Sequence, residues 1–189
     1  MYFDCIHMNK TLKYSLTTAW IIFSRAYDAH CTAQLTPDLS KEANPLVTVV
    51  GISTWTPLLA IISLLTLYAM FAYFQSTYRP MDLAPQEKGF RFSEFATYMY
   101  LGRKDHWSAF LFKFPKEIKR FNQYMGHTLT PSIAYAGIIS TIMWQLIHHS
   151  EWYRSMHNAK IVYAVLIIGC LIIAYNWNRK MYRAYLLAA

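Results

Sequence analysis

The chain has 189 residues, of which 55% are hydrophobic and only 15% charged, with a formal net charge of +8. That length suits one domain, but a soluble domain carries about 25% charged residues and seldom leaves large apolar patches in water. The apolar residues fall in blocks, as membrane spans do, so the positive charge is read against a bilayer and not as a nucleic-acid footprint.

The first apolar run begins near Ser15 and meets Arg25, Asp28 and His30 before any small-residue cleavage site. It therefore reads as a span, over about residues 12–32, and not as a cleaved signal. Met8-Asn9-Lys10 reads as a second start site. A charge near the bilayer centre costs about 2.5–3.5 kcal/mol on insertion scales. Arg25 and Asp28 are three residues apart, so they share a helix face and can pair. The second span, residues 46–74, holds no charged residue and exceeds the roughly 20 residues needed to cross. Pro57 is expected to kink it.

An inner loop, residues 75–127, follows. Its segment from Pro115 to Gly126 reads as a short amphipathic helix, opened by the proline and closed by the glycine. Ile118, Phe121 and Met125 share one face. Lys116, Lys119, Arg120 and Phe121 are expected to form a surface for lipid headgroups or for a partner subunit. The third span, residues 131–148, starts at Pro131, which suits a first helical turn. The fourth, residues 161–177, carries no charge. The expected fold is thus all-α: a polytopic four-helix membrane bundle in a single domain, with an amphipathic cytoplasmic segment between helices 2 and 3.

Basic residues set the orientation. With the N-terminus inside, fourteen of the eighteen Lys and Arg lie on inner segments, nine of them in the 75–127 loop. Positive-inside bias then places both termini in the cytoplasm, and the expected location is a bacterial inner membrane. Trp20, Trp55, Tyr73, Tyr78, Trp152 and Trp177 fall near the expected span ends, as interfacial aromatics do.

The same topology collects Asp28, His30, Glu42, His148 and His149 at the outer face. Imidazoles and carboxylates together suit a transition metal or a proton-transfer pair, so these five are the catalytic or metal-ligating candidates. Haem would need two axial histidines, and His30 with His148 or His149 is the pair of suitable depth. Against these stands a plainer account, in which the outer loops are polar because they are wet. The sequence holds no HExxH, GxGxxG, GxxxxGK[ST] or GxSxG pattern. Cys5, Cys31 and Cys170 form no CxxC pair, and the nine Met are scattered as packing residues are. The expectation is of no resident cofactor.

Asp28-x-x-x-Thr32, followed by Glu42-x-Asn44-Pro45 and a long apolar helix, resembles an uncharacterised family of small bacterial inner-membrane proteins. In that family the first helix ends in Asp-x-x-x-Thr and the next opens after Glu-x-Asn-Pro. The resemblance spans residues 15–75 and implies no activity; Arg25 and the long inner loop depart from the compact pattern. In physical terms Asn44 would cap a helix that Pro45 begins, and Asp28 would clasp the first two helices together.

The favoured expectation is a non-catalytic accessory or structural subunit of a larger membrane assembly, with lipid and other subunits or copies of itself as partners. The alternatives are a membrane enzyme or redox protein built on the five outer residues, and a small oligomeric transporter that uses Arg25 and Asp28.

Overall fold

The computed structural model describes residues 9–40 and 42–188; Cys5, Met8 and Lys41 lie outside them. Among the described residues there is no strand, and the helices in chain order are α1 (Lys10–Leu35), α2 (Pro45–Thr48), α3 (Trp55–Tyr78), α4 (Phe92–Leu101), α5 (Ala109–Phe112), α6 (Ile118–His149), α7 (Glu151–Met156) and α8 (Ala159–Ala188). The all-α expectation holds. Two helices, α3 and α8, are long and apolar enough to cross a membrane. Only 17% of the apolar window of α3 is buried, and none of that of α8, so neither resembles the covered core helix of a water-soluble fold. Helices α1 and α6 have the length, 26 and 32 residues, but a more polar composition.

Several expected boundaries move. The span assigned to residues 46–74 is broken. Asn44 caps the single turn α2, accepting from Leu46 N at 3.0 Å, and Pro45 fills the first position as expected. The helix then stops, and α3 begins only at Trp55. Gly51 has φ +82°, a left-handed conformation that glycine adopts without Cβ strain. The surrounding Val47, Val49, Val50 and Ile52 are β-branched and stiff in a helix, so hydropathy was high where helix propensity was low. Pro57 falls in the first turn of α3, where its missing N–H removes no helical bond, and α3 runs on to Tyr78.

The amphipathic helix and the third span are one helix, α6. Gly126 lies inside it and does not close it. A Cβ at Gly126 would strike Ala72 O and the Ser76 side chain, so the glycine permits close approach of α3. Pro131 is likewise interior, with its ring exposed. The fourth helix does not end at Trp177 either, since α8 continues to Ala188.

The chain divides into two compact units. One is built from residues up to 68 with 133–169, the other from 69–132 with the residues from 170 onward. In the first unit α1 lies along α6. Trp20 Nε1 donates to Ala134 O at 3.0 Å, Arg25 Nη2 to Ser140 Oγ at 3.1 Å, and Trp144 Nε1 to Asp28 Oδ1 at 2.8 Å. The partner numbers rise together, so the two helices are parallel. Between these ties the fully buried Ser24 presses on Gly137, where a Cβ would collide with its Oγ. Small residues at such a seam let two backbones approach closely.

In the second unit α3 and α6 are antiparallel. Thr130 Oγ1 donates to Ala69 O at 3.1 Å, and Gln123 Nε2 to Gln75 O and Arg79 O at 3.0 and 2.6 Å. Residues 80–117 fold onto this unit around an aromatic core of Phe90, Phe95, Met99, Tyr100, Tyr124 and Tyr185. Tyr185 Oη donates to Glu87 O at 2.8 Å and Tyr182 Oη to Phe90 O at 3.0 Å, so the last turns of α8 serve this core.

Arg120 is buried here, which corrects its assignment to a lipid- or partner-facing surface. Its Nη1 donates to Leu83 O at 3.0 Å and Tyr98 O at 3.2 Å, and its guanidinium lies 5.4 Å from the Tyr98 ring centre. It thereby satisfies carbonyls at the C-terminal end of α4, the end that favours a cation. Gly102, at φ +74°, ends α4, and a Cβ there would come within 3.0 Å of Arg120 Nε. Phe121 is also partly buried against the aromatic core, whereas Lys116 and Lys119 are exposed.

Candidate functional site

The last turns of α1 carry Asp28 and Thr32 toward the loop that leads to α2. Thr32 Oγ1 donates to the backbone O of Asp28 at 2.8 Å, as hydroxyls in helices commonly do, and leaves the Asp28 carboxylate to other partners. Those partners are Trp144 Nε1 at 2.8 Å and Arg25 Nη1 at 3.7 Å. The Arg25–Asp28 pairing expected from their spacing is therefore present. The clasp expected between the first two helices instead joins α1 to α6, and Trp144, which supplies it, carried no sequence signal beyond being a tryptophan.

Glu42 stands in the loop between α1 and α2. Its Oε1 accepts from Asn44 N at 2.8 Å. Burial pushes its carboxyl above the usual range, and the Asn44 N–H opposes part of that rise. Leu39, in the same loop, holds φ at 59°, and its side chain is buried.

These groups meet at a cavity of about 380 Å³, within the range of about 300–1,000 Å³ usual for small-ligand pockets. Asp28, Thr32, Glu42 and Asn44, the four polar residues of the signature, all line it. Arg25, Ser140, Trp144, His157 and Tyr163 join them, and Leu58, Leu59, Ile62, Leu65 and Leu166 supply apolar wall. Every lining residue belongs to the first unit. His157 Nδ1 is buried with no hydrogen-bond partner, and burial lowers the imidazole's pKa toward the neutral form.

The histidine candidates go elsewhere. His30 is exposed, 3.1 Å from Gln34 through its Nε2. It is two residues from Asp28, and i,i+2 side chains point to different sides of a helix. His148 and His149 are exposed at the end of α6, with the His148 ring centre 6.2 Å from that of Trp144. The backbone O of His148 accepts from Arg154 Nη2 at 3.3 Å. Of the five candidates, the structure thus brings Asp28 and Glu42 to one cavity and leaves His30, His148 and His149 outside it. Among the described residues no three His, Cys, Asp or Glu side chains gather as metal ligands would. Trp144, Ser140 and Tyr163 are lining residues that the sequence did not single out.

Comparison with family models, with curated proteins and with solved structures finds no match for this chain.

Proposed function

We propose that this chain is a four-span membrane protein whose part is to hold a small molecule in the Asp28–Glu42 cavity, without chemical turnover. The observation that carries this reading is the convergence of all four polar signature residues on one apolar-walled cavity. Their polar atoms are engaged by neighbours: Asp28 by Trp144, and Glu42 by the Asn44 N–H. Groups fixed in this way orient a guest, as the few placed polar groups of ligand pockets do. Helix direction within each unit supports the reading: in the first, α1 runs parallel to its stretch of α6, and in the second, α3 runs antiparallel to its own stretch of α6. Positive-inside bias supports an outer-side location for the cavity.

The test is purification in a mild non-ionic detergent followed by native mass spectrometry and thermal melting. A small molecule that stays with the wild-type protein and leaves Asp28→Ala and Glu42→Ala variants supports the reading. A protein with no bound molecule, and no melting shift from any ligand class screened, overturns it.

A second reading, the accessory subunit, is favoured by a different observation. In the second unit Trp107, Phe112, Phe114 and Ile118 are exposed beside Lys113, Lys116 and Lys119. Aromatic residues and lysines at one surface suit a headgroup layer or a partner subunit at the inner face. A stoichiometric partner that is lost on Lys116→Glu with Lys119→Glu supports this reading. Retention of the partner by that variant counts against it.

A further inference from the structure

The charges that face the cavity do not balance. On α1, Arg25 and Asp28 offset one another, and Arg25 also donates to Ser140 on α6. His157, between α7 and α8, is held toward its neutral form by burial, and Tyr163 on α8 brings a hydroxyl. Among the described residues that line the cavity, Glu42 is the remaining charge. It shares the cavity with aromatic side chains as well as aliphatic wall, because Trp55, Trp144 and Tyr163 line the same space. A carboxylate that shares a cavity with aromatic side chains is an environment that recognises organic cations, through charge and through the ring quadrupoles. The leucine and isoleucine wall would cover an apolar body attached to such a cation.

We propose that the cavity binds an organic cation with an apolar body, and that the cation and a proton compete for Glu42. When the cation enters, the Glu42 proton passes to bulk water; when the cation leaves, Glu42 takes one back. The charge of the site is the same in both states, so the exchange is isoelectric. That condition favours a carboxyl that is reluctant to stay ionised alone, and burial makes Glu42 such a group. The inference rests on the reading of the cavity as a ligand site, and it names the ligand's class.

The probe is tetraphenylphosphonium, measured by equilibrium dialysis against the purified full chain in non-ionic detergent over a series from about pH 8.5 downward, past the ordinary glutamate range. Saturable binding that weakens in acid is expected, by up to about tenfold per pH unit once Glu42 holds its proton. Proton release into weak buffer should accompany binding. Glu42→Gln should lose both the affinity and the pH dependence while retaining a cooperative melt. Asp28→Asn is the second variant, because it frees Arg25 and should weaken the cation further. Binding that is indifferent to pH and kept by Glu42→Gln overturns the exchange at Glu42. If dodecanoate binds and the phosphonium does not, Arg25 rules the site; the cation fails and the cavity reading stands. If neither binds and neither shifts the melt, both fail together.

Discussion

Trp144 Nε1 donates to Asp28 Oδ1 at 2.8 Å, so a buried indole on α6 fixes a carboxylate near the end of α1. The same carboxylate oxygen pair faces Arg25 at 3.7 Å. One tryptophan thus both joins two helices and orients the charged end of the cavity.

Removal of that donor should be felt in stability. Trp144→Phe keeps most of the ring volume and loses the N–H, and hydrogen bonds to charged groups contribute about 1.5–3 kcal/mol. A drop of that order is expected in detergent melting or denaturant unfolding. Asp28→Asn retains an acceptor oxygen for the indole, so its loss should be smaller. A double-mutant cycle on the two positions should give a coupling energy clearly above zero. Simple additivity would mean that the contact contributes little.

The α1–α6 seam makes a steric prediction. Gly137→Ala places a methyl against the buried Ser24 hydroxyl, and overpacking of this kind costs about 1–3 kcal/mol. Ser24→Gly in the same chain should recover most of it. Failure of that rescue would show that the two backbones are not held together at this point.

Arg120 is expected to hold the inner segment. Arg120→Met keeps much of the stem but removes the donor to the Leu83 carbonyl and the second donor to that of Tyr98, which retains the Gly102 N–H. Limited proteolysis should then cut faster within residues 80–117 than in the wild type, with sites in residues 10–35 unchanged. Lys116→Ala, at an exposed position, should leave the cleavage pattern as it was.

Glu42 gives a pH dependence whose sign follows from its raised pKa. The folded state binds the proton more tightly than the unfolded one, so stability from this group falls as pH rises from the ordinary glutamate value of about 4.5 through the higher folded value. Glu42→Gln should therefore melt higher than wild type at neutral pH, and the difference should vanish in acid. His157 acts in the opposite direction. Its depressed pKa makes the folded state lose stability as pH falls below the ordinary imidazole value of 6.5. His157→Gln should remove that part of the acid sensitivity.

The sequence reading and the structure part at identifiable places. Asn44 and Pro45 declared a helix start, and the structure has it, because a cap and a first-turn proline act within one turn of chain. The end of that helix four residues later was hidden, since residues 49–54 are as apolar as a span and only their β-branching and Gly51 argue otherwise. Gly126 and Pro131 were read as punctuation and proved to be interior to α6. Gly126 is there for the neighbour across the interface, which no local pattern announces. Arg120 looked like its neighbours Lys116 and Lys119, and only the carbonyls of a distant loop and helix end distinguish it.

By itself the sequence determined the helical class, the presence of long apolar segments, and the pairing of Arg25 with Asp28. These follow from periodicity, hydropathy and spacing, which operate over a few turns of one helix. Which polar residues share a cavity was decided only by tertiary structure. Asp28 and His30 are two residues apart and diverge, while Asp28 and Trp144 are separated by 116 positions and touch. That outcome depends on the parallel docking of α1 on α6, which is set by Ser24 against Gly137 and by the ties on either side of it.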